Sequence, residues 1–463
     1  MNTPLIWIII PFLIGFIMLF FQNKSNLIFA AGVFLSTLFA ITALLIPFDE
    51  VFIFGNLSIS LVNEINLAGL QFQLTNQIRP VIILFYAYHS FLFSGSFAAK
   101  VHKNFIPLSL IINALILAGI AVKPTLFGLL FFQPAALISI FLFMPPGSRF
   151  TRGTMRFIAF QVMGMIFLLF AGFSISAGTE IVENADALQR ALLLFWVGFS
   201  FIFAIFPLHS WVTMLSENVH PYVTGYVFAI LFGGYSFLLI SVINTYLFTF
   251  TSDVIVSLLQ IASFVLIVSG GIGAAIQRNL GRLFGFAVLI EIGYSILAIS
   301  TNKPALFFNM LFPRVIALSL WSMGLSILYT YTRDLSFDSI IGRGIKLPFA
   351  CTAMVIAQFS LSGVPLLAGF PVLLAIWREI SNLSILLVIW VYIGSLGLLI
   401  GSLRSFSMLM TGEEEAEWQG EEDNVQKVYL LAGMIFLVLM GLIPHWIHLF
   451  INRLIDGVEM IIL

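Results

Sequence analysis

The stretch SLSGVPLLAGFP (360–371) places Gly363 and Pro365 in the middle of an apolar run that is long enough to cross a membrane. Proline removes a backbone donor and breaks a helix, and in lipid the freed backbone groups must be satisfied by protein or water. A second interrupted run, IFPLHSW (205–211), contains Pro207. Broken helices at corresponding places in two halves are typical of transporters built on an inverted repeat. Isolated proline kinks would give the same residues without a repeat.

The composition places the chain in a membrane. Of the 463 residues, 60% are hydrophobic and 9% are charged, whereas soluble globular proteins carry about 25% charged residues. A soluble domain of this length cannot hide that much apolar surface. Soluble enzymes are therefore excluded, and a net charge of −1 offers no basic field to a nucleic acid. The single cysteine, Cys351, excludes a multi-cysteine metal or iron–sulfur site.

Apolar runs of about 17–25 residues predict membrane-spanning helices, and about fourteen such runs occur. We therefore expect an all-α polytopic membrane protein with two inverted five-helix repeats, each with a broken helix. Pro221 follows the first break and is counted with it as a helix-breaking residue. The runs lie at 4–21, 27–47, 79–97, 105–122, 125–144, 155–176, 191–211, 221–247, 254–276, 283–300, 304–331, 347–377, 383–404 and 428–444.

The order of these runs divides the chain into four parts. We expect N-terminal transmembrane helices and an outer hairpin over 1–104. The first five-helix repeat would occupy 105–247 and the second 254–404. The remainder, 405–463, would hold an acidic loop, the last span and an amphipathic helix.

Three segments outside the spans carry further information. The alternating stretch 50–76 is too polar to span and predicts a small β-hairpin. The acidic run 413–423 is interpreted as a solvated loop or, alternatively, as a docking patch for a partner, and 446–463 predicts an interfacial amphipathic helix. Most Lys and Arg residues fall in one set of loops, which predicts that the N- and C-termini lie outside the membrane.

Four stretches together carry a resemblance to a known family. They are FPLHSW (206–211), AAIQRNLGRLFGFAVLIEIGY (274–294), FSLSGVPLLAGF (359–370) and SLRSFSMLM (402–410). In this order the chain resembles the antiporter-like membrane subunits of respiratory complex I, NADH:quinone oxidoreductase, and the Mrp-type cation/proton antiporters. The resemblance implies a proton- or cation-conducting module that works with other membrane subunits of a redox-driven complex. It also implies location in a prokaryotic plasma membrane.

The resemblance also implies a line of buried lysines and glutamates across the middle of the membrane, and here this chain departs from the family. Neutral residues occupy the matching positions, so we expect the usual proton axis to be dry. A charge at the bilayer centre costs at least about 2.5–3.5 kcal/mol and is kept only for function. The replaced positions are Gln133, Pro134, Ile202, Leu231, Phe312, Ile316 and Leu373.

Among the remaining intramembrane polar residues, the candidates for a proton path are Glu291, Arg314, His209 and Glu217. Glu291 would carry protons and Arg314, which cannot deprotonate, would bias the path electrostatically. Alternatively, Glu291 and Arg314 form a structural ion pair or extend towards the helix ends. His209 is interpreted as a proton relay or as a cap of the broken helix.

The sequence gives no indication of catalytic, metal-binding or nucleotide-binding chemistry. The sequence contains no HExxH, CxxC, GxGxxG or P-loop motif, so we expect no catalytic residues, no bound cofactor, no metal site and no nucleotide bound by this chain. We predict a membrane-arm subunit of a complex I-like redox-driven proton or cation pump, with lipid and other membrane subunits as its partners. The alternatives are a non-conducting scaffold subunit and a proton-coupled transporter subunit that works with one soluble partner.

Overall fold

The computed structural model describes residues 2–21, 23–48, 51–54, 57–145, 147–176, 185–247, 252–411 and 420–455. The α-helices are α1 (Ile10–Met18), α2 (Ser25–Leu45), α3 (Arg79–Ser96), α4 (Phe105–Ala121), α5 (Leu129–Phe143), α6 (Arg152–Ser176), α7 (Ala185–Ile202), α8 (Ser210–Asn218), α9 (Pro221–Val242), α10 (Ser252–Ile276), α11 (Leu280–Ser300), α12 (Pro304–Thr332), α13 (Phe337–Ile340), α14 (Arg343–Lys346), α15 (Pro348–Leu361), α16 (Gly369–Ser381), α17 (Ile385–Met410), α18 (Asn424–Leu442) and α19 (Pro444–Leu454). The π-helices cover Leu5–Ile9 and Ile243–Leu247. The 3₁₀-helices cover Leu19–Phe21 and Thr125–Gly128. The strands are β1 (Val51–Phe54), β2 (Leu57–Ser60), β3 (Glu64–Leu67), β4 (Leu70–Gln73) and β5 (Val122–Lys123).

The predicted all-α polytopic membrane class is confirmed. Within the described ranges, nine helices are long and apolar enough to cross a membrane. The other predicted spans coincide with α3, with shorter apolar helices or with the halves of the broken helices. Among these nine helices the most buried are α9, α11 and α12, whose apolar windows are 94%, 100% and 94% buried. These three helices form the centre of the protein, so polar groups on them have little access to water.

The two broken helices end their first halves in the same way. After α15, Gly363 has φ of +78°; its N–H donates to the Ser360 carbonyl at 3.2 Å, and the Val364 N–H donates to the Phe359 carbonyl at 3.0 Å. This is a Schellman motif, which satisfies the orphan carbonyls of a helix end. Pro365 then prevents the helix from continuing.

The first break repeats this pattern with alanine in place of glycine. After α7, Ala204 has φ of +56° and donates to the Phe201 carbonyl at 3.4 Å. The Ile205 N–H donates to the Ser200 carbonyl at 3.0 Å, and Pro207 follows within the break. The freed backbone groups are thus satisfied inside the protein, as lipid requires.

The helices before and after each break also pack alike. In the first set α4 contacts α5 and α9, and α6 contacts α7; in the second, α10 contacts α11 and α17, and α12 contacts α15. If each broken pair is counted as one crossing, five crossings reverse the direction of the chain. The second set therefore runs through the membrane opposite to the first, which is the arrangement of an inverted repeat.

The prediction of one small hairpin over 50–76 needs a correction. Two antiparallel hairpins are present, β1–β2 and β3–β4, and β5 at the end of α4 adds a third strand to the second hairpin. A strand outside the predicted stretch completes this sheet, which is why the stretch alone did not reveal it. We call the end of the bundle that carries these strands the hairpin side.

At the described end of the acidic run, Glu421 and Asp423 are exposed, as a solvated loop requires, but Glu422 is not. Residues 412–419 lie outside the described ranges. Glu422 is buried, and its carboxylate accepts from the Ala350 N–H at 3.1 Å in the first turn of α15. A carboxylate is stabilised there by the free N–H groups of the helix start. In the last segment, α19 begins two residues before the predicted amphipathic stretch and overlaps it over 446–454, and 456–463 lie outside the described ranges.

Candidate functional site

Glu291 and Arg314 meet at the centre of the protein. Glu291 lies near the middle of α11, a 21-residue helix, and is 5% exposed; Arg314 on α12 is 3% exposed. Both line a cavity of about 20 Å³ that is also bounded by Ser360 and Leu373 beside the second helix break. This volume is enough for about one water molecule. The cavity therefore joins an ionisable carboxyl group, a fixed charge and the broken helix.

The two charged side chains do not form a direct ion pair. The Arg314 guanidinium donates to the Ser295 hydroxyl, and more weakly to the backbone carbonyl of Glu291 at 3.4 Å. Ser295 in turn donates to the same carbonyl at 2.9 Å. The Arg314 Nε and Nη2 atoms have no hydrogen-bond partner among the described residues. The Arg314 charge therefore acts on Glu291 through space, and it retains two free donors.

Four of the seven neutral replacements of the family's charged line are packed in the interior, and the other three are half-buried. Ile202 is fully buried, and Leu231 and Ile316 are 3% and 5% exposed. Leu373 is 3% exposed and lines the cavity of Glu291. An apolar, close-packed interior leaves little room for water. Of the seven replaced positions, Leu373 is the one that lines this cavity.

His209 lies at the first break and does not line the cavity of Glu291. It occupies the N-cap position of α8, but its side chain makes no capping hydrogen bond. Its ring stacks on Phe206 at 5.3 Å between centroids and lies 6.1 Å from Phe286. Pro207 lies in the same break. The structure thus brings together the two predicted residues of the first break but separates them from Glu291.

Pro221 begins a helix and does not interrupt one. It is the first residue of α9, where a missing N–H costs nothing. The preceding His220 contacts the Ser326 hydroxyl through Nε2 at 3.3 Å. Pro221 therefore separates two crossings, whereas Pro207 and Pro365 lie within theirs.

Glu217 forms an ion pair with Arg282 at 2.9 Å, at the adjoining ends of α8 and α11. The two side chains are 27% and 43% exposed, so solvent screens their attraction. The pair links the two five-helix sets and lies away from the Glu291 cavity.

We expect Glu217→Gln to change the free energy of unfolding by less than about 1 kcal/mol, because exposed ion pairs contribute little. Thermal unfolding of the purified chain at low and at high salt measures this. A loss that persists unchanged at high salt would contradict a screened surface pair.

Three contributors to the site were missed from the sequence: Ser295, Ser360 and Tyr88. Ser295 follows Glu291 by one helical turn, a spacing that places the two side chains on the same face of the helix and could have identified Ser295. Tyr88 on α3 has a buried hydroxyl with no hydrogen-bond partner among the described residues, and it lies close enough to Arg314 to interact electrostatically. Nothing in the local sequence marks Tyr88 or Ser360, because hydroxyl side chains are common in apolar helices. Among the described residues, no group of three or more His, Cys, Asp or Glu side chains is placed to hold a metal ion.

The bundle and its two matched breaks are those of an antiporter-like membrane subunit, as the sequence motifs predicted. The chain belongs to the NADH:quinone oxidoreductase/Mrp antiporter transmembrane family, whose model matches residues 129–401. This confirms the resemblance and establishes an integral, multi-pass membrane protein.

Curated relatives match over part of their length. Subunit N 1 of the NADH-quinone oxidoreductase of Thermodesulfovibrio yellowstonii is 26% identical over 198 residues, which are 42% of each chain. Subunit 13 of the NADH-quinone oxidoreductase of Thermus thermophilus is 32% identical over 143 residues, 28% of this chain and 30% of the relative. In these matches the chain spans less than half the length of each relative.

Solved structures match over nearly the whole fold. A chain of the Mrp complex from Dietzia sp. has a TM-score of 0.79 at 14% identity, with 98% of both chains covered. A chain of the membrane-bound sulfane sulfur reductase, an archaeal respiratory complex, has a TM-score of 0.81 at 16% identity, with 99% of this chain and 98% of that chain covered. A chain of respiratory complex I from Thermus thermophilus has a TM-score of 0.72 at 18% identity, with 98% and 99% covered. At these identities the likeness establishes the fold.

Proposed function

We propose that this chain is a membrane-arm subunit of a complex I-like, redox-driven proton or cation pump, and that Glu291 is its proton-carrying group. The observation that carries the proposal is the cavity that Glu291 and Arg314 share with the second helix break. An ionisable side chain in the membrane interior is costly and marks a functional site by default. The fold neighbours belong to multi-subunit membrane complexes, which supports other membrane subunits as partners.

In this proposal Glu291 alternates between its neutral and charged forms. Arg314 stays charged, because arginine does not lose its proton in proteins, and its field favours the charged form of Glu291. A change in the broken helix that moves the cavity wall would alter the solvation of Glu291. Its proton affinity would then change. The driving subunits would act on α15 and α16 through contacts between chains. The four-part division of the chain and the outer position of both termini stay predictions of the same scheme.

The test is proton flux into liposomes that hold the intact complex isolated from its native membrane. We expect Glu291→Gln to lower the flux by about 100-fold or more, because an amide cannot exchange the proton. Glu217→Gln is the matched control, since the same change on the exposed carboxylate should leave the flux unchanged. Flux that survives Glu291→Gln would refute the role of Glu291.

A scaffold subunit is the second candidate, and the close-packed neutral residues at the family's charged positions favour it. The two candidate functions predict different proton flux in the native complex. A folded, complete complex that drives no proton flux through this chain would support the scaffold.

A further inference from the structure

A polar vestibule opens on the hairpin side, away from the cavity of Glu291. Its volume is about 270 Å³, room for several water molecules. The ends of α4 and α9, the starts of α3 and α12 and the strands β4 and β5 bound it. The Asn244 side-chain oxygen is buried without a hydrogen-bond partner among the described residues. The polar residues of this hairpin-side vestibule are Gln73, Thr75, Gln77, Lys123, Thr125, Ser241, Asn244 and Thr245.

Two of the residues that line the vestibule are aromatic. They are Phe237 and Phe308, whose ring centroids are 5.7 Å apart. Phe85, which does not line the vestibule, lies 6.1 Å from Phe237. The three rings are 6%, 1% and 2% exposed for Phe237, Phe308 and Phe85. We call these three side chains the phenylalanine plug.

The phenylalanine plug lies next to the residues around Glu291 and Arg314. Phe85 lies 6.5 Å from Tyr88, and Tyr88 lies within electrostatic range of Arg314. On α12, Arg314 follows Phe308 by less than two helical turns, about 9 Å along the axis. Tyr88 and Arg314 both keep buried polar atoms that have no hydrogen-bond partner among the described residues. The plug is therefore the apolar layer between a polar vestibule and the buried polar atoms around Glu291.

We propose that the hairpin-side vestibule is the water-filled route between Glu291 and one face of the membrane, and that the phenylalanine plug closes it. Hydrophobic constrictions gate pores by excluding water. A rotation of the plug rings would admit water and connect Glu291 to that face, whereas the packed rings isolate it. The occupant is water carrying a proton. The proposal rests on the proposed function, since it supplies the access route for the same carboxyl group.

The test measures access of a small, charged, membrane-impermeant thiol reagent to introduced cysteines in the reconstituted complex. Cys351→Ala removes the single native thiol. Ser241→Cys then reports on the vestibule, and Met310→Cys reports on the cavity of Glu291, which Met310 lines. We expect Ser241→Cys to react from the hairpin side, and Met310→Cys to react at least about tenfold more slowly because the plug blocks access.

Opening the plug should remove this difference in reaction rate between the two cysteines. We expect Phe85→Ala, or Phe237→Ala if the first variant does not fold, to speed the reaction of Met310→Cys at least about tenfold, and Phe85→Leu to keep it slow. The control is Phe132→Ala, which removes a fully buried ring that packs on Tyr235 outside the plug. This control should leave the reaction of Met310→Cys as slow as it is with the plug intact.

Either of two results would overturn the proposal. One is no reaction of Ser241→Cys from either face. The other is a Met310→Cys reaction rate that is the same with the plug intact and removed. The labelling does not depend on proton flux, so it separates the two proposals. The expected labelling in a complex without flux would refute only the proposal that Glu291 conducts protons. Flux that depends on Glu291, with labelling that does not depend on the plug, would refute only the gated route.

Discussion

Replacing Arg314 by methionine should lower the free energy of unfolding by about 3–5 kcal/mol, the cost of leaving a buried charge without its partner. Arg314 is 3% exposed and is the positive charge that acts on Glu291. Its removal leaves the carboxyl group in an apolar interior and also leaves the Ser295 hydroxyl without its donor. Chemical unfolding of the purified chain in mixed micelles, followed by tryptophan fluorescence, measures the loss.

The double variant Glu291→Gln/Arg314→Met separates electrostatics from packing. If the loss arises from the uncompensated carboxyl group, the double variant should regain most of the stability, because a neutral amide costs far less to bury. Arg282→Met is the control for an exposed arginine and should cost less than about 1 kcal/mol. Strictly additive effects of the two changes would show that Arg314 does not support Glu291.

The second large loss of stability is expected for a substitution at the contact between α10 and α17. We expect Gly397→Ala to lower the free energy of unfolding by about 3 kcal/mol, at the upper end of overpacking effects. A Cβ atom at Gly397 would overlap the backbone carbonyl of Gly271, and one at Gly271 would overlap the carbonyl of Gly394. Small residues allow such backbone contact between helices in membranes. Because the obstacle is backbone, it cannot move aside as a side chain does.

Gly233→Ala provides the matched control for this change. A Cβ atom there meets only the ring of Phe85 at 3.6 Å, an ordinary contact. Alanine favours a helix by about 1 kcal/mol over glycine, so this variant should be as stable as the native chain or slightly more so. Unfolding in the same micelles compares the two, and equal effects at the two positions would exclude the close approach as the cause.

Both predictions concern contacts that join different parts of the chain, and these contacts were not readable from the sequence. The sequence predicted Glu291 and Arg314 as partners but not the way they meet. Ser295 receives the Arg314 hydrogen bond, and Leu373 and Ser360 close the cavity from another helix pair. A serine one turn from a glutamate is common in helices, so it becomes informative only when an arginine from α12 reaches it.

By itself the sequence determined the membrane class, the positions of the spans and the two helix breaks. These properties depend on local chemistry: apolar runs set the spans, and a proline with a residue of positive φ ends a helix wherever it occurs. The tertiary structure alone decided the second hairpin with its added strand, the distance between His209 and the Glu291 cavity, the packing of Glu422 on α15 and the phenylalanine plug. Each of these depends on which faces of distant helices meet, and in a chain that is apolar on almost every face the hydrophobic pattern does not specify that choice.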